Sequence, residues 1–188
     1  MLEQYQIILA SNSPRRKELL QGLDLPFQVH VIEGVSEDYP EDLPVNEIAE
    51  YISKEKAAAY HVSGSQLLIT ADTVVILGNT VLGKPANETE ALKMLRLLSG
   101  KTHQVITGVT LTSSAKQHSF SVKTNVTFKH LTDEEIQYYV HHYKPFDKAG
   151  AYGIQEWIGY IGVTGLEGSY FNVMGLPVQR IYQELQKF

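Results

Sequence analysis

Ile7-Ile8-Leu9-Ala10 is a short apolar run of the kind a buried strand needs, and Ser11-Asn12-Ser13 breaks it at once with small polar residues suited to a tight turn. Ser13 is a good N-cap, and Pro14 fits the first helical position, where its missing N–H costs nothing. Leu19, Leu20 and Leu23 then share an inner helical face, with a stop near Gly22. The segment reads as strand, tight loop, helix. Further along, helical and strand-like stretches alternate and hairpins sit beside crossover helices, so the chain is expected to be α/β, layered around a mixed sheet.

The first turn of that opening helix is anomalous. A helix N-terminus carries partial positive charge and favours Asp or Glu there, yet this one holds Arg15, Arg16 and Lys17. Free backbone N–H groups, the hydroxyls of Ser11 and Ser13, and two guanidiniums converging on one point make a site for an anion, most naturally phosphate. The alternative is a solvated basic turn paired with acids elsewhere. Strand, loop and helix in this order are the setting phosphate cradles use, which favours the anion site; the Walker glycine pattern is absent, so it is not a P-loop.

Pro26 to Ile32 reads as a second strand, and Glu33 to Pro44 as an acidic, proline-rich surface loop containing Glu33, Glu37, Asp38, Glu41 and Asp42. A helix is expected from Asn46 to Tyr60. Ile48 and Ile52 are four apart on it, and Lys56 is the next step of their stripe, so it either snorkels outward or points into a polar pocket. Gln66 to Leu77 is a long β-type run interrupted by Asp72. An acid inside such a strand must be paired, metal-bound or catalytic, because a bare interior charge is expensive. After a return strand, Gly83-Lys84-Pro85 sets a lysine on a stiff turn.

A helix from Asn87 or Thr89 to Ser99-Gly100 follows, then strands at His103–Thr112 and Phe120–Phe128. Thr132-Asp133-Glu134-Glu135 forms a capping box for a helix ending before Pro145. His141 and His142 are adjacent and point apart, which disfavours a metal site there. Asp147 to Gln155 is crowded with small residues that let backbone approach a ligand, and Gln155 can read a planar amide edge such as a base. Ile158 to Val163 is expected to be a strand, and Gly175-Leu176-Pro177 to lead into a final helix.

Lys and Arg number 16 against 21 Asp and Glu, a net charge of −5 over 188 residues. That balance disfavours a general nucleic-acid or anionic-membrane binder, so a polyanion must be met by a local basic pocket. Cysteine is absent, which excludes disulfides, thiolate zinc sites and a cysteine nucleophile. Neither a signal peptide nor a membrane-length apolar run is visible, so a cytoplasmic location is the default expectation.

Taken in order, Ala10-Ser11-Asn12-Ser13-Pro14-Arg15-Arg16, Ala71-Asp72-Thr73-Val74-Val75, Gly83-Lys84-Pro85, Leu98-Ser99-Gly100, Asp147 to Gln155, Gly168-Ser169-Tyr170 and Val173-Met174-Gly175-Leu176-Pro177 resemble the Maf family of nucleoside triphosphate pyrophosphatases, over nearly the whole chain. The resemblance implies one Maf-like domain over residues 1–188, made of two lobes around an elongated twisted mixed sheet with the active-site cleft between them, a fold shared with ITPase-like enzymes. It implies cleavage of a nucleoside triphosphate to monophosphate and pyrophosphate with Mg²⁺ or Mn²⁺, and a homodimer. Asp72 falls on the general-base position; Ser11, Arg15, Arg16, Lys56 and Lys84 on phosphate-handling positions; and Glu37 on the acidic metal position beside Asp72, with Glu33 as substitute. Ser13 joins the phosphate set from its place at the helix tip. Arg15, Thr73 and Gln155 occupy the specificity positions, and Ala-Asp-Thr with Gly-Ile-Gln marks the branch acting on dTTP and UTP. The rival readings are a pyrophosphatase for 7-methyl-GTP or non-standard purine triphosphates, and a non-enzymatic regulator of septum formation. Relatives often carry a basic residue just before Gly168, where this chain reads Val163-Thr164-Gly165-Leu166-Glu167.

Overall fold

The computed structural model describes residues 2–188. Strand β1 (Gln6–Leu9) enters helix α1 (Pro14–Gln21), and the chain returns in β2 (Phe27–Val29), parallel to β1 with Leu9 opposite Val29. A 3-10 turn at Val45–Glu47 leads into α2 (Ile48–Ala58), then the long β3 (Gln66–Leu77), parallel to β1 on its other side. β4 (Thr80–Leu82) folds back antiparallel on β3. After α3 (Glu88–Leu98), the long strands β5 (Thr102–Ser113) and β6 (Gln117–Phe128) are joined by a turn closed by Ser113 N–H on the Lys116 carbonyl at 2.8 Å. Helices α4 (Asp133–Tyr143) and α5 (Trp157–Gly162) precede β7 (Val163–Glu167), and α6 (Tyr170–Met174) and α7 (Val178–Leu185) finish the chain. The seven-stranded sheet runs β2-β1-β3-β5-β6-β7, with β4 paired to β3. It is mixed, as expected.

Local chemistry explains most boundaries. Asn87 caps α3 by accepting the Glu90 N–H at 3.0 Å, and Thr132 and Glu135 form the complete capping box of α4. Lys144, left-handed at φ 46°, ends α4 just before Pro145. β3 is buried along nearly its whole length, which accounts for its continuous apolar run.

Some expectations need correction. Residues 158–162, expected in a strand, belong to α5; the strand begins at Val163. A short apolar run has no period that separates strand from helix, and here the run is helical. Gly159 lies so close to the Ile154 carbonyl that any Cβ would overlap it. The second strand covers only Phe27–Val29, the second helix starts at Ile48 after its 3-10 turn, and α6 had no forecast.

By contact density the chain forms two compact units. The first holds residues up to Thr73 with Thr107–Val122 and Gly175–Phe188; the second holds Val74–Ile106 and Lys123–Met174. In the first, Gly108 of β5 lets α2 come close: a Cβ there would stand 2.3 Å from the Ala49 carbonyl carbon. In the second, Ala91, Leu95 and Leu98 of α3 pack with Ile136, Tyr139 and Val140 of α4 and with Val105, Val126 and Phe128 of the sheet. Among the described residues no helix is long and apolar enough to cross a membrane.

His103 is buried in this second core, its Nε2 2.6 Å from the Tyr152 hydroxyl and its ring against Phe128. Burial penalises the charged imidazolium and pulls its pKa from 6.5 to about 4. Between these values the unfolded chain binds a proton that the folded one refuses, so stability rises with pH across this window. The contribution is complete above pH 6.5 and is lost as pH falls towards 4, by about 3 kcal/mol at most. Denaturant titrations of wild type and His103→Gln at pH 7 and pH 4.5 should show a shallower acid loss in the variant; equal losses would contradict this account.

Candidate active site

At the start of α1, the Ser13 hydroxyl accepts the Arg16 N–H at 3.3 Å, and Ser11 Oγ accepts the Ser13 N–H at 3.2 Å. Both hydroxyls are thus oriented by the loop they occupy. Lys17 is exposed and Arg15 half-buried. Arg16 turns inward: its Nε donates to the Gly175 carbonyl at 2.7 Å, Nη1 to the Ala71 carbonyl at 3.3 Å, and Nη2 to Thr73 Oγ1 at 3.0 Å. Three of the five guanidinium N–H donors of Arg16 are thus held by the protein itself. Its donors first brace β3 and the Gly175 turn, which runs at φ +120°. Burial lowers the Arg16 pKa, and the negative charges of Asp72 and Glu37 oppose that shift.

Asp72 lies in β3, two residues after Thr70, and the alternation of a strand puts both on one face. Thr70 Oγ1 donates to the Ser53 carbonyl of α2 at 2.7 Å, and Lys56 is one turn further along the same helix. The Lys56 ammonium reaches Asp72 Oδ1 at 3.0 Å, the Ala71 carbonyl at 3.2 Å and Glu37 Oε1 at 3.0 Å. Its three protons thus have three oxygen partners. Of the two outcomes open for a lysine in line with Ile48 and Ile52, the polar pocket is the one realised. Of Glu33 and Glu37, Glu37 forms the ion pair.

Sequence reasoning missed several members of this cluster. The Ala71 carbonyl takes donors from both Arg16 and Lys56, the Gly175 carbonyl takes Arg16, and Thr107 Oγ1 is 2.9 Å from Thr73 Oγ1. Backbone carbonyls leave no residue-type signal. Thr107 had one, as a hydroxyl inside an apolar strand, but nothing along the chain ties it to Thr73.

Lys84 and Gln155 belong to the second unit. Lys84 is exposed on the turn after β4, where the Gly83 carbonyl accepts the Gly150 N–H at 3.1 Å. Gly150 is left-handed at φ +70°, and a Cβ there would come to 3.0 Å of the Val75 methyls. Gln155 follows in the same small-residue segment, and its Oε1 is buried without a hydrogen-bond partner.

Among the described residues no group of three or more His, Cys, Asp or Glu could hold a metal ion. Glu37 and Asp72 nevertheless converge on one cation, the Lys56 ammonium. Two hard carboxylate ligands, with phosphate and water oxygens completing the shell, fit the way Mg²⁺ is usually bound.

The tip of α1 carries hydroxyls and cations beside an interior carboxylate paired to lysine, an arrangement suited to a small, highly charged anion. The chain belongs to the Maf family, whose description as Maf-like protein matches residues 6–188. It is 62% identical over 188 residues to a dTTP/UTP pyrophosphatase of Phocaeicola vulgatus, covering 99% of this chain and 97% of that one. A dTTP/UTP pyrophosphatase of Bacteroides thetaiotaomicron is 57% identical, with the same coverage. A HAM1 protein from Coxiella burnetii, of solved structure, matches 66% of this chain and 73% of its own at 18% identity and a TM-score of 0.42, too remote a likeness to bear on mechanism.

Lysine offers a point charge where Arg16 spans three acceptors, so Arg16→Lys is not conservative here. Losing two of these three charge-assisted bonds costs about 3 kcal/mol, which lowers the melting temperature of a chain this size by roughly 6–12 °C. Calorimetry of the variant checks this; a melting temperature within a degree of wild type would mean these bonds hold nothing together.

Proposed function

We propose that this protein is a nucleoside triphosphate pyrophosphatase that hydrolyses dTTP and UTP to the monophosphate and pyrophosphate. The observation that carries the reading is the Asp72 carboxylate, embedded in β3 and sharing the Lys56 ammonium with Glu37. Triphosphate hydrolysis asks the protein mainly for charge neutralisation and an aligned water. Relatives 62% and 57% identical that carry the dTTP/UTP pyrophosphatase name support the same substrates.

In this reading Asp72 accepts a proton as the water oxygen bonds to phosphorus and the bond to the oxygen bridging the α- and β-phosphates breaks. Ser11, Ser13, Arg15 and Arg16 at the tip of α1, with Lys56 and Lys84, take the phosphate charge. Arg16 adds its positive field while its bonds hold Ala71 and Thr73 in place. A divalent cation held by Asp72 and Glu37 would polarise a phosphoryl oxygen and acidify the water. Arg15, Thr73 and Gln155 select the base. The unpartnered Gln155 Oε1 calls for a donor, and uracil and thymine both offer one at N3–H. A homodimer and a cytoplasmic location belong to the same proposal.

Pyrophosphate release from dTTP and UTP by the purified protein should require Mg²⁺ or Mn²⁺ and stop on chelation; no release with either metal would overturn the reading. Asp72→Asn should lower kcat by roughly 10²–10⁴-fold, the usual worth of a general base. Nucleotide binding, followed by calorimetry, should persist in that variant, and wild-type turnover would remove Asp72 from the mechanism.

A further inference from the structure

Tyr139 of α4 is fully buried, with its ring stacked on Tyr143 at 5.1 Å between centroids. Its hydroxyl accepts the Gly153 N–H at 3.0 Å and donates to Glu156 Oε1 at 2.8 Å. One phenol oxygen thus grips the chain on both sides of Ile154-Gln155. Glu156 Oε1 also lies 3.5 Å from the Lys148 ammonium, which pairs with Asp147 at 3.0 Å. Gly153 permits this closeness: a Cβ there would stand 2.6 Å from Glu156 Oε1 and 3.0 Å from Lys148 Cε. Burial holds the Tyr139 proton well above the usual phenol range, and the neighbouring Glu156 charge adds to the shift. The hydroxyl therefore stays a donor at every working pH.

Gln155 Oε1 is buried with no partner. No hydrogen bond fixes that oxygen, so its placement starts from where the flanking backbone and the packing around it hold the side chain. We propose that Tyr139 is a positioning residue for base selection, its hydroxyl pinning Gly153 and Glu156 so that the Gln155 amide is presented in one orientation. This deepens the pyrophosphatase reading and rests on it. Uracil carries a hydrogen at N3 and cytosine a lone pair, so a fixed acceptor separates them and a loosened amide does so less well.

The test compares kcat/KM for UTP and CTP in the full chain, for wild type, Tyr139→Phe, Glu156→Gln and Glu156→Leu. Wild type should favour UTP. Tyr139→Phe should lower the UTP-to-CTP ratio by about tenfold, the scale of one hydrogen bond, with the loss carried by KM for UTP. Glu156→Gln, whose amide oxygen still accepts from Tyr139, should keep the ratio, and Glu156→Leu should lose it. This pair decides the matter if Tyr139→Phe fails to fold. A purely structural hydroxyl would change melting temperature without moving the ratio. An unchanged ratio in Tyr139→Phe, or equal losses in the two Glu156 variants, overturns the positioning role alone. A wild type that releases no pyrophosphate from UTP overturns the underlying reading with it.

Discussion

Asp72 sits on a strand that is buried almost throughout, and it is tolerated there because Lys56 stands 3.0 Å from it. Remove the cation and the carboxylate loses the partner that stands in for water, a change that ordinarily costs several kcal/mol. The same ammonium draws in Glu37 from an exposed loop, so one interior charge organises two acids and a helix. Arg16 works beside it from the opposite direction in sequence. Its guanidinium and the Lys56 ammonium meet on the single carbonyl of Ala71, which puts β3 between two cations. The net charge of the chain is −5, and in this segment two cations, Arg16 and Lys56, stand against two carboxylates, Asp72 and Glu37.

The second unit meets its constraints with small residues and a hydroxyl. Gly150 and Gly153 let side chains close over backbone, and Tyr139 converts that closeness into hydrogen bonds. Precision comes from packing here: α3 and α4 cover the sheet with a continuous apolar core in which Tyr139 is embedded. A loop hung on a buried aromatic ring has few ways to move.

Much of the fold was legible along the chain because local signals were strong. Ser13 and Thr132 are side-chain caps that open the helices expected of them, and of the two starts open for the third helix, Asn87 and Thr89, Asn87 is the cap. The run from Gln66 to Leu77 is a strand over those same residues. The stretch from Ile158 failed for the opposite reason. Its short apolar run has no period that separates strand from helix, and Gly159 lies against the Ile154 carbonyl where no side chain would fit. Of the candidate site, the chemistry-bearing side chains Asp72, Lys56 and Arg16 stood out as residues wrong for their surroundings. The direction in which each points did not.

The amino-acid order alone determined that this chain would be α/β, that an acid would be buried in its long strand, and that a basic helix tip would follow its first one. Those are consequences of periodicity, capping and the cost of a bare charge, all of which act over a few neighbouring residues. Tertiary structure decided that Arg16 turns inward to Gly175, 159 positions away, that Lys56 rather than solvent receives Glu37, and that Tyr139 holds the chain on both sides of Gln155. A hydrogen bond between distant residues exists only once the chain has closed the loop between them, and the entropy of that closure is met by the whole core.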